Sequence, residues 1–131
     1  MAIPDELERQ HTLSTATTRY DDLRMRDALA AMSEDGHAAP LTREESLELL
    51  ALSEVVIRKA GYGRQAMVRS ARGNGASWTQ IGAALGSSKQ AAWEAHNRWI
   101  EDQARQHELT GYQGFDPEQA DEARGAAGPP D

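Results

Sequence analysis

Apolar residues recur along this chain at the three- and four-residue spacing of helices, and almost no stretch alternates apolar and polar positions as a strand does. Aromatic residues, which favour strands, are few, with one Phe, three Tyr and three Trp in 131 residues. Gly and Pro divide the pattern into separate segments. We therefore predict an all-α fold, a helical bundle without a sheet.

The first predicted helix extends from Pro4 to about Met32. Proline is tolerated in a first helical turn, and residues 33–36 supply a stop. Four threonines between residues 12 and 18 weaken the middle of this helix. Its apolar stripe needs a cover, either the rest of the chain or a second copy, and it begins at Leu13, Ala16, Tyr20 and Leu23.

A second helix is predicted from Arg43 to about Ala60. Thr42 and Glu45 have the spacing of a capping box, in which each side chain bonds the other residue's backbone N–H. Apolar side chains spread around nearly the whole circumference, which is typical of a central core helix. Because so small a domain cannot cover every side, part of this surface is a candidate oligomer interface. The apolar positions are Leu47, Leu49, Leu50, Ala51, Leu52, Val55, Val56 and Ile57.

A third, shorter helix is predicted from Arg64 to about Arg72. Its spacing turns Met67, Val68 and Ala71 inward, and it turns the arginines outward.

Residues 75–100 carry the most informative pattern in the chain. Ser77 is placed to cap a helix Trp78–Leu85, and Gly86 supplies a left-handed residue that ends it. Ser87 or Ser88 then caps a second helix that runs from Lys89 past Ile100. Two helices that cross at such a corner need a small inner contact with apolar neighbours. The chain meets this need with Ile81, Gly82, Leu85, Gly86, Ala92 and Ala95.

The segment ASWTQIGAALGSSKQAAW resembles the helix-turn-helix of small bacterial transcriptional regulators, and it is also similar to the related helix pair of sigma-factor DNA-binding regions. The resemblance covers about 25 residues, and the helix at 64–72 fits the packing helix that precedes the motif. Ser87 departs from the family pattern, which has an apolar residue there, so we expect a less tightly packed corner.

The resemblance implies that the helix from Lys89 enters the major groove and that its early outward residues read base edges. Trp93 is left open between packing and a groove contact, whereas Trp78 and Trp99 are expected in the core. The implied base-reading residues are Ser88, Lys89, Gln90 and Glu94. The implied contacts to the DNA backbone are Arg69, Arg72, Ser77, Thr79, Gln80, Asn97 and Arg98.

Charge is segregated along the chain, although its formal net value of −7 argues against a polyanionic partner. Residues 1–57 carry −7, residues 58–106 carry +5 and residues 107–131 carry −5. Since salt screens surface charge beyond about 10 Å, the basic block acts locally and favours DNA. The alternative is that these cations only solvate helix surfaces.

Other classes of protein find little support. The chain has no Cys, no apolar run long enough for a membrane span and no secretory start, so we expect a cytoplasmic protein. Its four His are scattered, and no nucleophile or phosphate-binding motif is present. We predict no enzyme activity, no metal site and no cofactor. His96 is expected at the core or its rim with a hydrogen-bonded ring.

Three regions are predicted. Residues 1–36 form an N-terminal helix and a candidate dimerisation arm, residues 41–107 form the helix-turn-helix domain, and residues 108–131 form an acidic, largely flexible tail with at most a weak helix from Pro117 to about Arg124. The expected function is a sequence-specific regulator that binds double-stranded DNA as a homodimer. The alternatives are a helical adaptor or antagonist whose acidic segments contact a protein partner, and a nonspecific nucleoid-type or phage DNA-packaging protein.

Overall fold

The computed structural model describes residues 3–34 and 39–130, and within these ranges the chain forms seven α-helices and no strand. The predicted all-α fold is confirmed. The chain divides into an N-terminal unit that ends at Gly63 and a C-terminal unit that begins at Arg64. The helices are α1 (Pro4–Gln10), α2 (Leu13–Met32), α3 (Arg43–Tyr62), α4 (Arg64–Gly73), α5 (Trp78–Leu85), α6 (Lys89–Thr110) and α7 (Pro117–Ala127).

The N-terminal helix is two helices, so the prediction of one continuous helix from Pro4 to Met32 was wrong. Thr12 is extended and begins α2. Its hydroxyl accepts from the Thr15 N–H at 3.1 Å, and the Thr15 hydroxyl accepts from the Thr12 N–H at 3.0 Å. Threonines that weaken a helix interior cap a helix well, and this reciprocal cap offsets the lost helical bonds.

The helices α2 and α3 pack together and are joined by two ion pairs, Arg19 with Glu48 and Arg26 with Glu45. The predicted Thr42–Glu45 capping box is confirmed. Of the predicted stop after α2, Ser33 follows the helix directly, while Asp35 and Gly36 lie outside the described residues, as does His37. The buried core of this unit is Leu7, Ala16, Leu23, Ala51, Leu52 and Val55.

Helix α3 is not covered on most sides within this structure. Only Ala51, Leu52 and Val55 among its apolar residues are buried. Leu50 and Ile57 are 66% and 68% exposed.

The C-terminal unit has a core built around a fully buried Trp78. Of the α4 residues predicted inward, Val68 is buried, whereas Met67 is 63% exposed, which corrects that prediction. Arg69 and Arg72 were predicted to point outward, but both are half-buried, because each guanidinium lies over an aromatic ring. The other buried members of this core are Ile81, Ala92, Ile100, Ala123 and Ala127.

In the C-terminal tail, which was predicted to carry at most a weak helix from Pro117 to about Arg124, the structure has the helix α7 from Pro117 to Ala127. Gly114 has a positive φ, and its backbone lies against Gln103 so closely that a Cβ would collide. The chain then enters α7, which packs on α4 and α6. Alanines at three- and four-residue spacing bury one face of this helix, namely Ala120, Ala123 and Ala127. Asp131 lies outside the described residues.

The division of the chain also differs from the predicted one, which placed residues 41–107 together. Helix α3 packs on α1 and α2, and residues up to Gly63 cluster with it. The amphipathic face of α2 and the two ion pairs draw α3 to the N-terminal side.

Candidate nucleic-acid interface

The first helix of the candidate interface begins at a reciprocal cap. The Ser77 hydroxyl accepts from the Gln80 N–H at 3.1 Å, and the Gln80 side-chain oxygen accepts from the Ser77 N–H at 2.9 Å. Ser77 caps the helix as predicted. The two residues were also predicted to brace the DNA backbone. Their oxygens already accept bonds here, and the Ser77 O–H and the Gln80 amide N–H groups remain as donors for that role.

The corner between α5 and α6 depends on two glycines. Gly86 ends α5 with φ 70° and ψ 29°, the left-handed conformation that the sequence predicted. Gly82 lies against the start of α6, where a Cβ would come within 2.9 Å of the Ser88 carbonyl carbon and 3.0 Å of the Lys89 nitrogen. The Ser87 N–H donates to the Gly82 carbonyl at 2.8 Å. The small residue therefore sets how closely α6 approaches α5.

The inner side of this helix pair is apolar and mostly buried. Trp78, Ile81 and Ala92 are all buried, as the spacing predicted. Leu85 is 40% exposed, and the polar Ser87 that follows the corner is exposed as well.

A histidine is fully buried in the core beneath the helix pair. The His96 ring lies between Trp78 and Trp99, at centroid distances of 5.5 and 5.4 Å. Its Nδ1 is 3.0 Å from the Gln65 side-chain oxygen, so that nitrogen carries the proton and donates. Burial lowers the pKa of His96, and the nearby Arg69 charge lowers it further. The expectation of a hydrogen-bonded core histidine is confirmed.

The residues predicted to read bases lie together at the exposed start of α6. Lys89, Gln90 and Glu94 are exposed, and the Gln90 amide donates to the Glu94 carboxylate at 2.9 Å. Ser88 is the N-cap, and its hydroxyl accepts from the Ala91 N–H at 3.0 Å. Ser88 therefore positions the helix, while the other three side chains reach solvent.

The residues predicted to contact the DNA backbone differ in exposure and in the bonds that they already form. Thr79 and Arg98 are exposed, whereas Asn97 donates to the Trp93 carbonyl of its own helix at 2.9 Å. Arg69 lies over the Phe115 ring at 5.2 Å and keeps its charge near the surface.

Arg72 has a structural role that the sequence did not indicate. Its guanidinium donates to the Ala127 and Ala76 carbonyls, both at 3.2 Å, and lies over the Trp78 ring. The Trp78 ring N–H also donates to Ala127, at 2.8 Å.

Trp93, which the sequence left undecided, donates to the Gly128 carbonyl at 2.7 Å. The end of α7 thus receives N–H groups from α4, α5 and α6. Alanine spacing in residues 120–127 was the one sequence signal for this docking.

Ion pairs reduce the cationic surface that the sequence suggested. Arg124 binds Glu101 through two bonds of 2.8 and 3.1 Å, which lowers the pKa of Glu101. Arg105 pairs with Asp102. Arg58, counted in the basic block, lies in the N-terminal unit and pairs with three carboxylates. Within the described part of the C-terminal unit, the cations that form no ion pair are Arg64, Arg69, Lys89 and Arg98.

Comparisons with known proteins gave no relative: no family model matches the chain, no curated protein is significantly similar to it, and no solved structure matches its fold. Among residues 3–34 and 39–130, no cluster of three His, Asp or Glu side chains is arranged to hold a metal. In the same ranges, no helix has the length and apolar character of a membrane span.

Proposed function

We propose that the protein is a sequence-specific DNA-binding regulator that reads the major groove with the start of α6. The observation that carries this proposal is the exposed cluster of Lys89, Gln90 and Glu94 at the start of α6, which lies in close contact with α5 at Gly82. A rigid corner that presents polar side chains from the first turns of its second helix is what groove reading requires.

The chemistry of the three readers is complementary. The Gln90 amide offers a donor and an acceptor to the two hydrogen-bonding atoms of adenine, and its bond to Glu94 fixes which end faces outward. Lys89 reaches guanine acceptors or a phosphate, and Glu94 accepts from cytosine. The Glu94 carboxylate also repels phosphates, so it favours docking in which bases lie opposite it.

We propose that Thr79, Arg98 and the guanidinium N–H groups of Arg69 contact the DNA backbone. Lys89 and Arg98 are nine residues apart, about 13 Å along α6. So few cations give one copy weak affinity, because each neutralised phosphate contributes to binding through counterion release. Two copies on a two-fold site remedy this, with half-sites about 34 to 36 Å apart.

The test is selection of bound sites from random DNA, followed by affinity measurements on the selected site. The variant Lys89→Ala with Gln90→Ala is expected to lose at least about 30-fold in affinity and to lose selectivity at the contacted bases, since each good base contact is worth about 1 to 3 kcal/mol. Arg105→Ala is the matched control, because it removes one cation of the same helix that is already paired with Asp102. Equal losses in both variants would contradict a reading role for the start of α6.

A protein-interaction adaptor is the second candidate, and the engaged arginines favour it. With Arg72, Arg105 and Arg124 bonded internally and Glu118 and Glu122 exposed on α7, the unit also offers an acidic surface. A gel shift with mixed DNA at low salt separates the two functions, because an adaptor gives no retardation. Retardation without any selected consensus would instead indicate a nonspecific nucleoid-type protein.

A further inference from the structure

The N-terminal unit buries little apolar surface for its length. Its core contains six buried apolar side chains, while larger ones on the outer sides of α2 and α3 remain in solvent. A domain of about 60 residues is marginal even with a full core, and oligomerisation is a common remedy.

One side of the α2–α3 pair has the spacing of a helix-packing seam on both helices. We call it the groove face. On α2 it comprises Leu13, Thr17, Tyr20, Arg24, Asp27 and Ala31, and on α3 it comprises Ser46, Leu50, Ser53, Ile57 and Ala60. Both sets advance by alternating steps of four and three residues, the repeat by which helices of a bundle interlock. A groove of about 370 Å³ runs between the two helices on this side.

The register between the two helices follows from their ion pairs. Arg19 bonds Glu48 at 2.9 Å and Arg26 bonds Glu45 at 2.6 Å, so the helices are antiparallel. This register places Leu50 level with Tyr20. It likewise places Ile57 level with Leu13.

We infer that a second copy of this chain docks on the groove face about a two-fold axis parallel to the helices. That axis lays α3 of one copy on α2 of the other, antiparallel, and closes a four-helix bundle. Leu50 then meets the partner's Tyr20, Ile57 meets the partner's Leu13, and the small Ser53 meets the partner's Thr17. The large side chains pair with one another, and so do the small ones.

Charge on the rim supports a second copy as the occupant. Asp27 and Arg43 lie at the same end of the pair, both are exposed, and neither forms an ion pair within the described residues. The same axis sets Asp27 beside the partner's Arg43, and Arg43 beside the partner's Asp27. A face that carries both charges in this order is complementary to itself.

The size of the face also fits. Helices α2 and α3 have 20 residues each and are about 30 Å long. At a spacing of about 10 Å they present about 600 Å², the order of the roughly 800 Å² that each partner contributes to a standard interface. The inference rests on the proposed function only for the role of the dimer, which is to join two DNA-binding units. Its test uses no DNA.

The first test is the mass of the full-length chain in solution by sedimentation or light scattering. The wild-type chain is expected to be dimeric, and a monomer at concentrations up to about 100 µM would overturn the inference. Leu50→Glu is expected to weaken dimerisation by about 100-fold or more, since a charge enters the centre of the face in both copies.

Met25→Glu is the matched control for Leu50→Glu, because Met25 is 65% exposed and lies outside the groove face of α2. This control is expected to leave the dimer intact. Equal weakening by both variants would overturn the inference, with circular dichroism of each variant verifying that the helices form.

A second test uses the absence of cysteine in the chain. Two single variants, Leu13→Cys and Ile57→Cys, are prepared separately, mixed and oxidised. A covalent dimer is expected from the mixture far in excess of either variant alone, because these positions face each other only across the axis. No enrichment in the mixture would overturn the proposed packing.

The rim charges give a third readout. Asp27→Arg and Arg43→Asp are each expected to raise the dissociation constant, whereas the double variant is expected to restore it, as a self-complementary pair requires. Failure of the double variant to recover affinity would contradict the proposed orientation. DNA binding that fails while these results hold would overturn only the proposed function.

Discussion

The two units of this protein differ in how much of their apolar surface they bury. The C-terminal unit surrounds the fully buried Trp78 and His96 with four helices, and side-chain N–H groups bond the carbonyls at the end of α7. The N-terminal unit has a smaller apolar core, adds two ion pairs between α2 and α3, and leaves Leu50 and Ile57 in solvent. Partly exposed ion pairs stabilise little. The C-terminal unit therefore buries its largest side chains within itself, whereas the exposed side chains of α2 and α3 are the reason why we propose a second copy for the N-terminal unit.

The largest expected effect lies in the C-terminal core. Trp78→Ala should lower the free energy of unfolding of this unit by about 3 to 5 kcal/mol, because it removes a fully buried aromatic ring and the bond to Ala127. Trp78→Phe is the control that keeps most of the ring, and it should cost about 1 to 3 kcal/mol. Urea denaturation measures both. Equal losses of unfolding free energy in the two variants would show that packing of the aromatic ring contributes little to stability.

A smaller effect is expected at the corner of the helix pair. Gly82→Ala should destabilise the unit by about 1 to 3 kcal/mol, since its Cβ meets the backbone of Ser88. It should also weaken DNA binding, because α6 must shift. Gly125→Ala is the matched control in the last turn of α7, where a Cβ meets nothing within 4 Å. The control should be neutral or should stabilise by about 0.5 to 1 kcal/mol. If Gly82→Ala left the free energy of unfolding unchanged, the contact between Gly82 and the start of α6 would not limit how the two helices pack.

The smallest expected effect is a difference between the two units in how their stability changes as pH falls. The pKa of His96 is lowered, so the unfolded chain binds its proton more readily, and the C-terminal unit loses stability as pH falls below 6.5. Bonds from Arg26 and the Thr42 backbone lower the pKa of Glu45 to about 2. The stability from Glu45 is present above pH 4.5 and is lost as pH falls towards 2.

The acid response is measurable unit by unit. All three tryptophans, Trp78, Trp93 and Trp99, lie in the C-terminal unit, so their fluorescence reports that unit alone, while circular dichroism reports both. Denaturation at a series of pH values should show the fluorescence-detected transition weakening first, near pH 6. His96→Gln should remove this early loss. Its persistence in that variant would contradict the role of His96.

The sequence by itself determined the helical class and most helix ends. The capping box at Thr42, the cap at Ser77 and the left-handed Gly86 were predicted correctly, because each cap bonds groups within about four residues. The same local rules failed at Thr12, where threonines that weaken a helix also cap one, and the periodic pattern alone could not separate the two effects.

The tertiary structure decided which polar groups were left for a partner. Arg72 was predicted as a DNA contact, but it bonds a carbonyl 55 residues away, and no local spacing encodes that distance. Docking of α7 likewise depends on its alanines meeting a surface that α4 and α6 build together. Burial of Leu52 and exposure of Leu50, two identical residues on one helix, follow from where α2 lies. Capping is a contact between near neighbours, whereas burial is a property of the whole packed chain.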